Sequence, residues 1–178
     1  TGENTLLKGI VQVESGTKVF LHPDGNKKIE RYFTYSTYKE ELLTEPLDHL
    51  KIKFKDILYD VFNDLIQSLK NKTVVIPLSG GYDSRLIACM MKEMGYEDVI
   101  CFTYGKKDSF EVFTSKEVAS KLGYKWYFVE YKKNLYLEIV KKDIFYEYLD
   151  FDFNFLSLPH TQDFFAVYYL KKNYLIPE

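Results

Sequence analysis

The sequence predicts an α/β fold in which a parallel sheet is flanked by helices and preceded by a short β-hairpin. Short apolar runs, typical of strands buried on both faces, alternate with stretches of helical periodicity between residues 73 and 131. This close alternation favours parallel strands joined by right-handed crossovers. The first 35 residues differ, because apolar and polar side chains alternate there around a turn.

The β-hairpin is predicted from two strand-like segments, residues 17–21 and 28–33, separated by the turn-forming sequence HPDGN at 22–26. A further apolar run, at 6–13, precedes them. An isolated hairpin is marginally stable in water, so we expect these strands to belong to a larger sheet. Most of that sheet is missing from this chain unless the remaining residues cover it.

A polar stretch with a proline, residues 34–47, is predicted to link the hairpin to a helix. The spacing of apolar side chains in that helix indicates one face packed against the protein. These side chains are Ile57, Leu58, Val61, Phe62, Leu65, Ile66 and Leu69.

Three strands and two helices are predicted next. The strands are residues 73–78, 98–104 and 125–131. The first helix spans 85–94 and is ended by Gly95. The second begins between Asp108 and Thr114, where a capping box is one candidate start, and ends at Gly123.

Beyond residue 131, two further helices are predicted, at 135–149 and 161–173. Residues 150–159 alternate as a strand does but end in proline, so that a loop is an equal alternative.

Composition excludes several classes of function. Lys and Arg number 24 against 26 Asp and Glu, a balance that argues against a nucleic-acid partner. No stretch approaches the roughly 18 apolar residues of a membrane span, and no signal segment opens the chain. The two cysteines, Cys89 and Cys101, are predicted to be buried reduced thiols, which favours the cytoplasm. The three histidines are scattered and are predicted to lie at the surface.

The segment Ser79-Gly80-Gly81-Tyr82-Asp83-Ser84 follows a predicted buried strand and opens a predicted helix, at the sheet edge where open α/β folds bind ligands. The two glycines can adopt positive φ and turn backbone N–H groups toward one point, which would form an anion nest. The helix dipole would add to this attraction.

Ser79 and Ser84 supply hydroxyl donors for phosphate, and the Asp83 carboxylate suits Mg²⁺. The alternative is an ordinary strand-to-helix turn with an Asp or Ser cap. The lysine of a Walker loop is absent.

The SGGYDS segment resembles the pyrophosphate loop of the N-type ATP pyrophosphatases, and its flanks resemble the glutamine-dependent, asparagine synthetase-like members of that family. The similarity is spread over about residues 5–131. The flanking segments that carry it are LLKGI at 6–10, GTKVF at 16–20, DG at 24–25, RYF at 31–33, FTYG at 102–105 and EVASKLG at 117–123.

This resemblance implies an adenine nucleotide alpha hydrolase-like fold that uses ATP and Mg²⁺. Residues 1–36 would be the carboxyl-terminal tail of a glutaminase-type β domain, and 37–178 the first part of the ATP-pyrophosphatase domain. The glutamine-hydrolysing cysteine would precede Thr1, and a second acidic loop would follow Glu178. The remaining parts of the full-length chain are thus expected partners, and the fragment alone would be inactive.

The resemblance also implies roles for individual residues. Backbone groups of Leu78 and Tyr104 would meet the adenine end of ATP. The pyrophosphate loop would be formed by Ser79, Gly80, Gly81, Asp83 and Ser84, with Asp83 as the Mg²⁺ ligand. No side chain is assigned as a catalytic residue. Arg85, where relatives often carry serine, would either aid a phosphate or pair with an acid.

The implied reaction is a two-step ligation. A carboxylate, aspartate or an analogue, attacks the α-phosphorus of ATP and pyrophosphate leaves; ammonia from glutamine then displaces AMP to give an amide. Two alternatives stay open. One is another amide- or lactam-forming ATP pyrophosphatase, for example one that modifies a sugar acid of a surface polysaccharide. The other is a nucleotide-binding module without turnover.

Overall fold

A computed structural model describes residues 2–36, 45–153 and 157–177. The chain forms two compact units. One comprises Thr1–Glu45 and Tyr148–Pro159, and the other Pro46–Glu147 and His160–Glu178. The predicted linker falls largely on residues 37–44, which lie outside the described residues.

The amino-terminal unit contains the predicted hairpin, with antiparallel strands β1 (Thr17–Leu21) and β2 (Lys27–Arg31). The turn between them is closed by a hydrogen bond from the His22 N–H to the Asn26 carbonyl, at 2.9 Å. Among the described residues the hairpin belongs to no larger sheet. The run at 6–13 forms only an isolated bridge, between Asn4 and Val11.

The second unit begins with helix α1 (Leu47–Leu69), whose predicted apolar stripe divides into two. Leu58, Phe62, Ile66 and Leu69 pack into the core, whereas Ile57, Val61 and Leu65 are exposed. The prediction of a single packed face was therefore wrong for the second group. Sequence periodicity counts apolar side chains but does not show which of them the rest of the fold covers.

The sheet of this unit is parallel, with the order β3 (Val74–Pro77), β4 (Val99–Gly105), β5 (Lys125–Glu130). Helices α2 (Tyr82–Glu93) and α3 (Phe110–Leu122) connect these strands. Successive side chains of a strand point to opposite faces, and β4 follows this rule. Cys101 packs in a cluster with residues of α1, α2 and α3, while Phe102 packs with residues of α6.

Three helices follow the sheet: α4 (Lys133–Ile139), α5 (Asp143–Asp152) and α6 (Thr161–Lys172). The single helix predicted at 135–149 is thus two helices, which are separated by a turn in which the Lys142 N–H bonds to the Ile139 carbonyl. Helix α5 also extends into the segment predicted as strand or loop. No helix of the described ranges has an apolar stretch long enough to cross a membrane. The predicted α/β class, with a parallel sheet flanked by helices, is confirmed.

Candidate functional site

A cleft of about 200 Å³ opens where β3 and β4 end and where α3 and α6 begin. Its walls are formed by Pro77, Leu78, Ser79, Phe102, Thr103, Tyr104, Glu111 and Gln162. Three predicted site residues, Leu78, Ser79 and Tyr104, are among them. The carboxyl ends of parallel strands meet at one edge of a sheet, which is why residues so distant in sequence come together here.

The remaining predicted residues, Gly80, Gly81, Asp83 and Ser84, lie just beyond Ser79 and do not line the cleft. The two serines hold this loop together. The Ser84 hydroxyl accepts a hydrogen bond from the Ser79 N–H at 3.0 Å, and the two hydroxyl oxygens lie 3.1 Å apart. The Gly81 N–H in turn donates to the Ser79 hydroxyl at 3.1 Å. Both hydroxyls therefore organise the loop; their predicted hydrogen bonds to phosphate stay a prediction.

The glycines of the loop do not have the positive φ values that the sequence predicted. Gly81 is extended, with φ −72° and ψ 161°. Space is restricted at Gly81, whereas a Cβ atom at Gly80 would make ordinary van der Waals contacts. A Cβ atom at Gly80 would lie 3.4 Å from Phe110 Cε1 and 3.5 Å from Glu111 Cα, and one at Gly81 would lie 3.2 Å from Ser79 Oγ. The loop backbone at Gly80 therefore lies close to the start of α3, and the absence of a Cβ atom at Gly81 leaves room for the Ser79 hydroxyl.

Helix α2 begins at Tyr82, three residues before its predicted start, so that Asp83 and Ser84 lie in its first turn. Gly81 is the N-cap residue and has no side chain with which to cap the helix. In α3, by contrast, the Ser109 hydroxyl accepts a hydrogen bond from the Val112 N–H. The start of α3 at Phe110 lies within the predicted range, from Asp108 to Thr114, and the helix does not use the candidate capping box at Thr114. At α2, backbone N–H groups remain available for an anion.

Asp83 is exposed in the first turn of α2, where a carboxylate interacts favourably with the helix dipole. No group of three His, Cys, Asp or Glu side chains among the described residues is placed to hold a metal ion. A single carboxylate is nonetheless the donor set expected for Mg²⁺ that is shared with phosphate oxygens and water. The residues present thus fit Mg²⁺ that arrives with a polyphosphate.

Leu78 and Tyr104 are firmly held in the sheet. The Leu78 N–H donates to the Phe102 carbonyl at 2.8 Å, and the Leu78 carbonyl accepts from the Thr103 hydroxyl at 2.6 Å. The Tyr104 ring stacks on Tyr131 with centroids 4.7 Å apart. Burial, together with a hydrogen bond to the Asp163 carboxylate, raises the pKa of the Tyr104 hydroxyl well above its ordinary value, so this side chain is neutral at physiological pH.

Sequence reasoning missed a buried polar network beneath the cleft. Besides bonding Leu78, the Thr103 hydroxyl lies 2.6 Å from the Ser115 hydroxyl and accepts a hydrogen bond from the Trp126 indole at 3.2 Å. Thr103 and Ser115 are both buried. The network joins the end of β3, through Leu78, to α3 and β5. A threonine inside the otherwise apolar run VICFTY was the signal that could have indicated it.

Arg85 contacts the loop and the first residue of α2, and not an acidic side chain. Its Nε donates to the Gly81 carbonyl at 3.0 Å, and its guanidinium lies over the Tyr82 ring, 4.5 Å from the centroid. It forms no ion pair with a described acidic residue. Arg85 therefore binds the loop from its helix side; a contact with phosphate stays a prediction.

The cysteines lie outside the cleft and differ in exposure. Cys101 is buried as predicted, and burial raises the pKa of its thiol to about 11. Cys89 is exposed, so the prediction that it is buried was wrong. The three histidines are exposed, as predicted.

A known protein family matches the part of the chain that contains this loop. The family described as "Asparagine synthase" matches residues 57–153, just over half of the chain. The chain belongs to the asparagine synthase family. The matched range contains every predicted site residue from Leu78 to Tyr104, as well as Thr103 and Glu111 of the cleft. The resemblance noted from the SGGYDS segment is thereby confirmed.

Individual relatives cover only part of this asparagine synthase family chain. A 7-cyano-7-deazaguanine synthase from Sulfurimonas denitrificans is 44% identical over 57 residues, which are 31% of this chain and 25% of that protein. A solved structure, the NH3-dependent NAD synthetase from Campylobacter jejuni in complex with nitrate ion, is 23% identical over 49% of this chain and 41% of its own, with a TM-score of 0.41. The chain thus spans a quarter of the length of the curated relative.

Proposed function

We propose that the protein is an ATP-dependent ligase that forms an amide bond by cleaving ATP between its α and β phosphates. The observation that carries the proposal is the start of α2. Its N-cap, Gly81, has no side chain, and the loop before it lacks Cβ atoms at two consecutive positions. Such a helix start attracts phosphate through free N–H groups and the helix dipole. Membership of the asparagine synthase family supports the assignment.

ATP would span the cleft and the loop. The cleft has a volume of about 200 Å³. Pockets that enclose a drug-sized ligand have volumes of about 300–1,000 Å³, so the cleft suits one part of the nucleotide. We place the adenine end there, near the backbone of Leu78 and Tyr104, with Glu111 and Gln162 as polar groups for the nucleoside. The phosphates would then lie on Ser79–Ser84, just beyond the cleft.

The reaction would proceed in two steps. An acceptor carboxylate oxygen attacks the α-phosphorus, the bond to the bridging oxygen breaks, and pyrophosphate leaves with that electron pair. Ammonia then attacks the acyl carbon of the acyl-adenylate, which releases AMP and yields the amide. Amides at the start of α2 would stabilise the charge that grows on the departing pyrophosphate. Mg²⁺, held by Asp83 and the phosphates, would neutralise part of that charge.

The acceptor we propose is aspartate or an analogous carboxylate, with ammonia supplied from glutamine. In this view residues 1–36 are the tail of a glutaminase-type domain and 37–178 the first part of the ATP-pyrophosphatase domain. The other parts of the full-length chain would complete the site. The unpaired thiols, Cys89 and Cys101, support a reducing compartment such as the cytoplasm.

The test is Asp83→Asn in the full-length protein, assayed for binding of ATP with Mg²⁺ and for release of pyrophosphate. We expect Mg²⁺-dependent affinity for ATP to fall at least about tenfold, because the metal loses its charged protein ligand. Asp143→Asn is the matched control, since Asp143 is also an exposed carboxylate in the first turn of a helix. Unchanged ATP affinity in Asp83→Asn would contradict the role of Asp83. Tight ATP binding without carboxylate-stimulated pyrophosphate release would instead indicate a binding module.

A further inference from the structure

Glu111 is the one acidic side chain among the described residues that line the cleft. It is exposed in the first turn of α3. Its carboxylate forms no hydrogen bond or ion pair with another residue in the described part of the chain. The helix dipole favours an acid in this turn, but it leaves the hydrogen-bonding capacity of the two carboxylate oxygens unused. The carboxylate is therefore available to a ligand in the cleft.

Glu111 lies at the boundary between the cleft and the pyrophosphate loop. A Cβ atom at Gly80, in the loop, would lie 3.5 Å from Glu111 Cα. Glu111 also shares the wall of the cleft with Leu78 and Tyr104, where we place the adenine end of ATP. The ribose of a nucleotide joins its base to its phosphates, so ATP bound in this way carries its sugar past Glu111.

The other two carboxylates near the site have different surroundings. Asp163 accepts a hydrogen bond from the Tyr104 hydroxyl and lies 3.6 Å from His160 Nδ1, so it belongs to the end of the cleft assigned to the base. Asp83 lies in the first turn of α2, where it is our proposed Mg²⁺ ligand. Glu111 is thus the acid placed to meet the sugar.

We propose that the Glu111 carboxylate accepts hydrogen bonds from the 2′ and 3′ hydroxyls of the ribose and so selects ribonucleoside over deoxyribonucleoside triphosphates. This inference rests on the proposed function, since it requires ATP in the cleft. Two neighbouring hydroxyls offer two donors, and a carboxylate offers two acceptor oxygens. Hydrogen bonds to a charged acceptor are about twice as strong as those between neutral groups. An acidic side chain also binds the ribose in α/β folds that hold dinucleotides.

The experiment is calorimetric titration of the full-length protein and of Glu111→Ala with ATP and with 2′-deoxy-ATP, each in the presence of Mg²⁺. We expect the parent protein to bind 2′-deoxy-ATP about tenfold more weakly than ATP, because one hydrogen bond to a charged acceptor is lost. In Glu111→Ala the two affinities should agree to within about twofold. Glu117→Ala is the matched control, since Glu117 is also exposed on α3 but pairs with Lys121 at 2.7 Å. That variant should keep the preference of the parent protein.

Two further ligands separate a contact with the sugar from other effects of the substitution. Pyrophosphate has no sugar, and Glu111→Ala should bind it at least as tightly as the parent protein does, because a negative charge beside the loop is removed. Inosine triphosphate carries an oxygen in place of the adenine amino group, and its affinity relative to ATP should not change in Glu111→Ala.

Three results would overturn the proposal. If Glu111→Ala still bound ATP and kept the parent's preference over 2′-deoxy-ATP, Glu111 would have no role in sugar selection, and the proposed function would be unaffected. A changed preference between ATP and inosine triphosphate, with none between ATP and 2′-deoxy-ATP, would assign Glu111 to the base. If the parent protein bound neither ATP nor pyrophosphate, the proposed function would fail together with this inference.

Discussion

Single hydroxyl groups determine the geometry of the loop between β3 and α2. The hydroxyl of Ser84, in the first turn of α2, accepts a hydrogen bond from the Ser79 N–H. The hydroxyl of Ser79, within the loop, accepts one from the Gly81 N–H. Below the loop, the Thr103 hydroxyl donates to the carbonyl of Leu78, the residue between the end of β3 and Ser79. The position of the loop therefore depends on two hydroxyl groups within it and on one beneath it.

Thr103→Val should destabilise the protein by about 1–3 kcal/mol. Valine has nearly the same shape, but it removes the hydrogen-bond donor of the Leu78 carbonyl and the acceptor of the Trp126 indole, which leaves buried polar groups without partners. The free energy of unfolding, measured with urea, gives this quantity directly.

Thr73→Val is the matched control for that measurement. The Thr73 hydroxyl also makes a hydrogen bond, to Asp98, but at an exposed position where water replaces it. We expect a cost below about 0.5 kcal/mol there. Equal losses of stability in the two variants would contradict the importance of the buried network.

At the scale of elements, the two helices that connect the strands of the sheet, α2 and α3, begin in different ways. Helix α3 is capped by its own Ser109, whereas α2 begins after Gly81 without a side-chain cap. A cap stabilises a helix by satisfying its first N–H groups. The start of α2 lacks that stabilisation, as do the starts of α1, α4 and α6, so no side-chain cap competes there with a ligand.

Gly81→Asp should weaken ATP binding at least about tenfold with at most a small loss of thermal stability, because its Cβ atom would shift the Ser79 hydroxyl slightly. The new carboxylate would cap α2 and repel the phosphates. The backbone at Gly81 is extended, a conformation that aspartate adopts readily. Calorimetric titration with ATP and a thermal melt would measure both effects.

Ser109→Asp provides the comparison, because it exchanges one N-cap residue for another at the start of α3. Its affinity for ATP should stay within about twofold of the parent protein. If Gly81→Asp bound ATP as well as Ser109→Asp does, the start of α2 would not be the phosphate site.

The elements themselves were largely predictable from the sequence, since buried strands and helical stripes have distinct periods. The residues at which the helices begin and end were harder to predict. The start of α2 was missed because Tyr82, Asp83 and Ser84 precede the apolar stripe that indicated the helix. Ile57, Val61 and Leu65 of α1 were wrongly assigned to the core, because the exposure of a side chain depends on neighbouring elements and not on sequence periodicity alone.

At the scale of the whole molecule, the site combines residues from distant parts of the chain. Ser79 was predicted from the rule that ligands bind at the carboxyl edge of a parallel sheet, and Tyr104 from the family resemblance; Glu111, on α3, was not predicted. Gln162 was not predicted either, because no local sequence pattern shows that the start of α6 lies beside the cleft. The Thr103 network was missed for a similar reason, since its partners lie on three different elements.

The central claim, that the start of α2 binds the phosphates of ATP, is tested most directly by NMR titration of backbone amides with ATP and Mg²⁺. The amide signals of residues 80–84 should shift in a saturable manner, and those at the capped start of α3, including Val112, should shift far less. Pyrophosphate should reproduce the shifts of the loop without affecting Tyr104 in the cleft. Saturable binding of ATP that leaves the amides of residues 80–84 unchanged would contradict the claim.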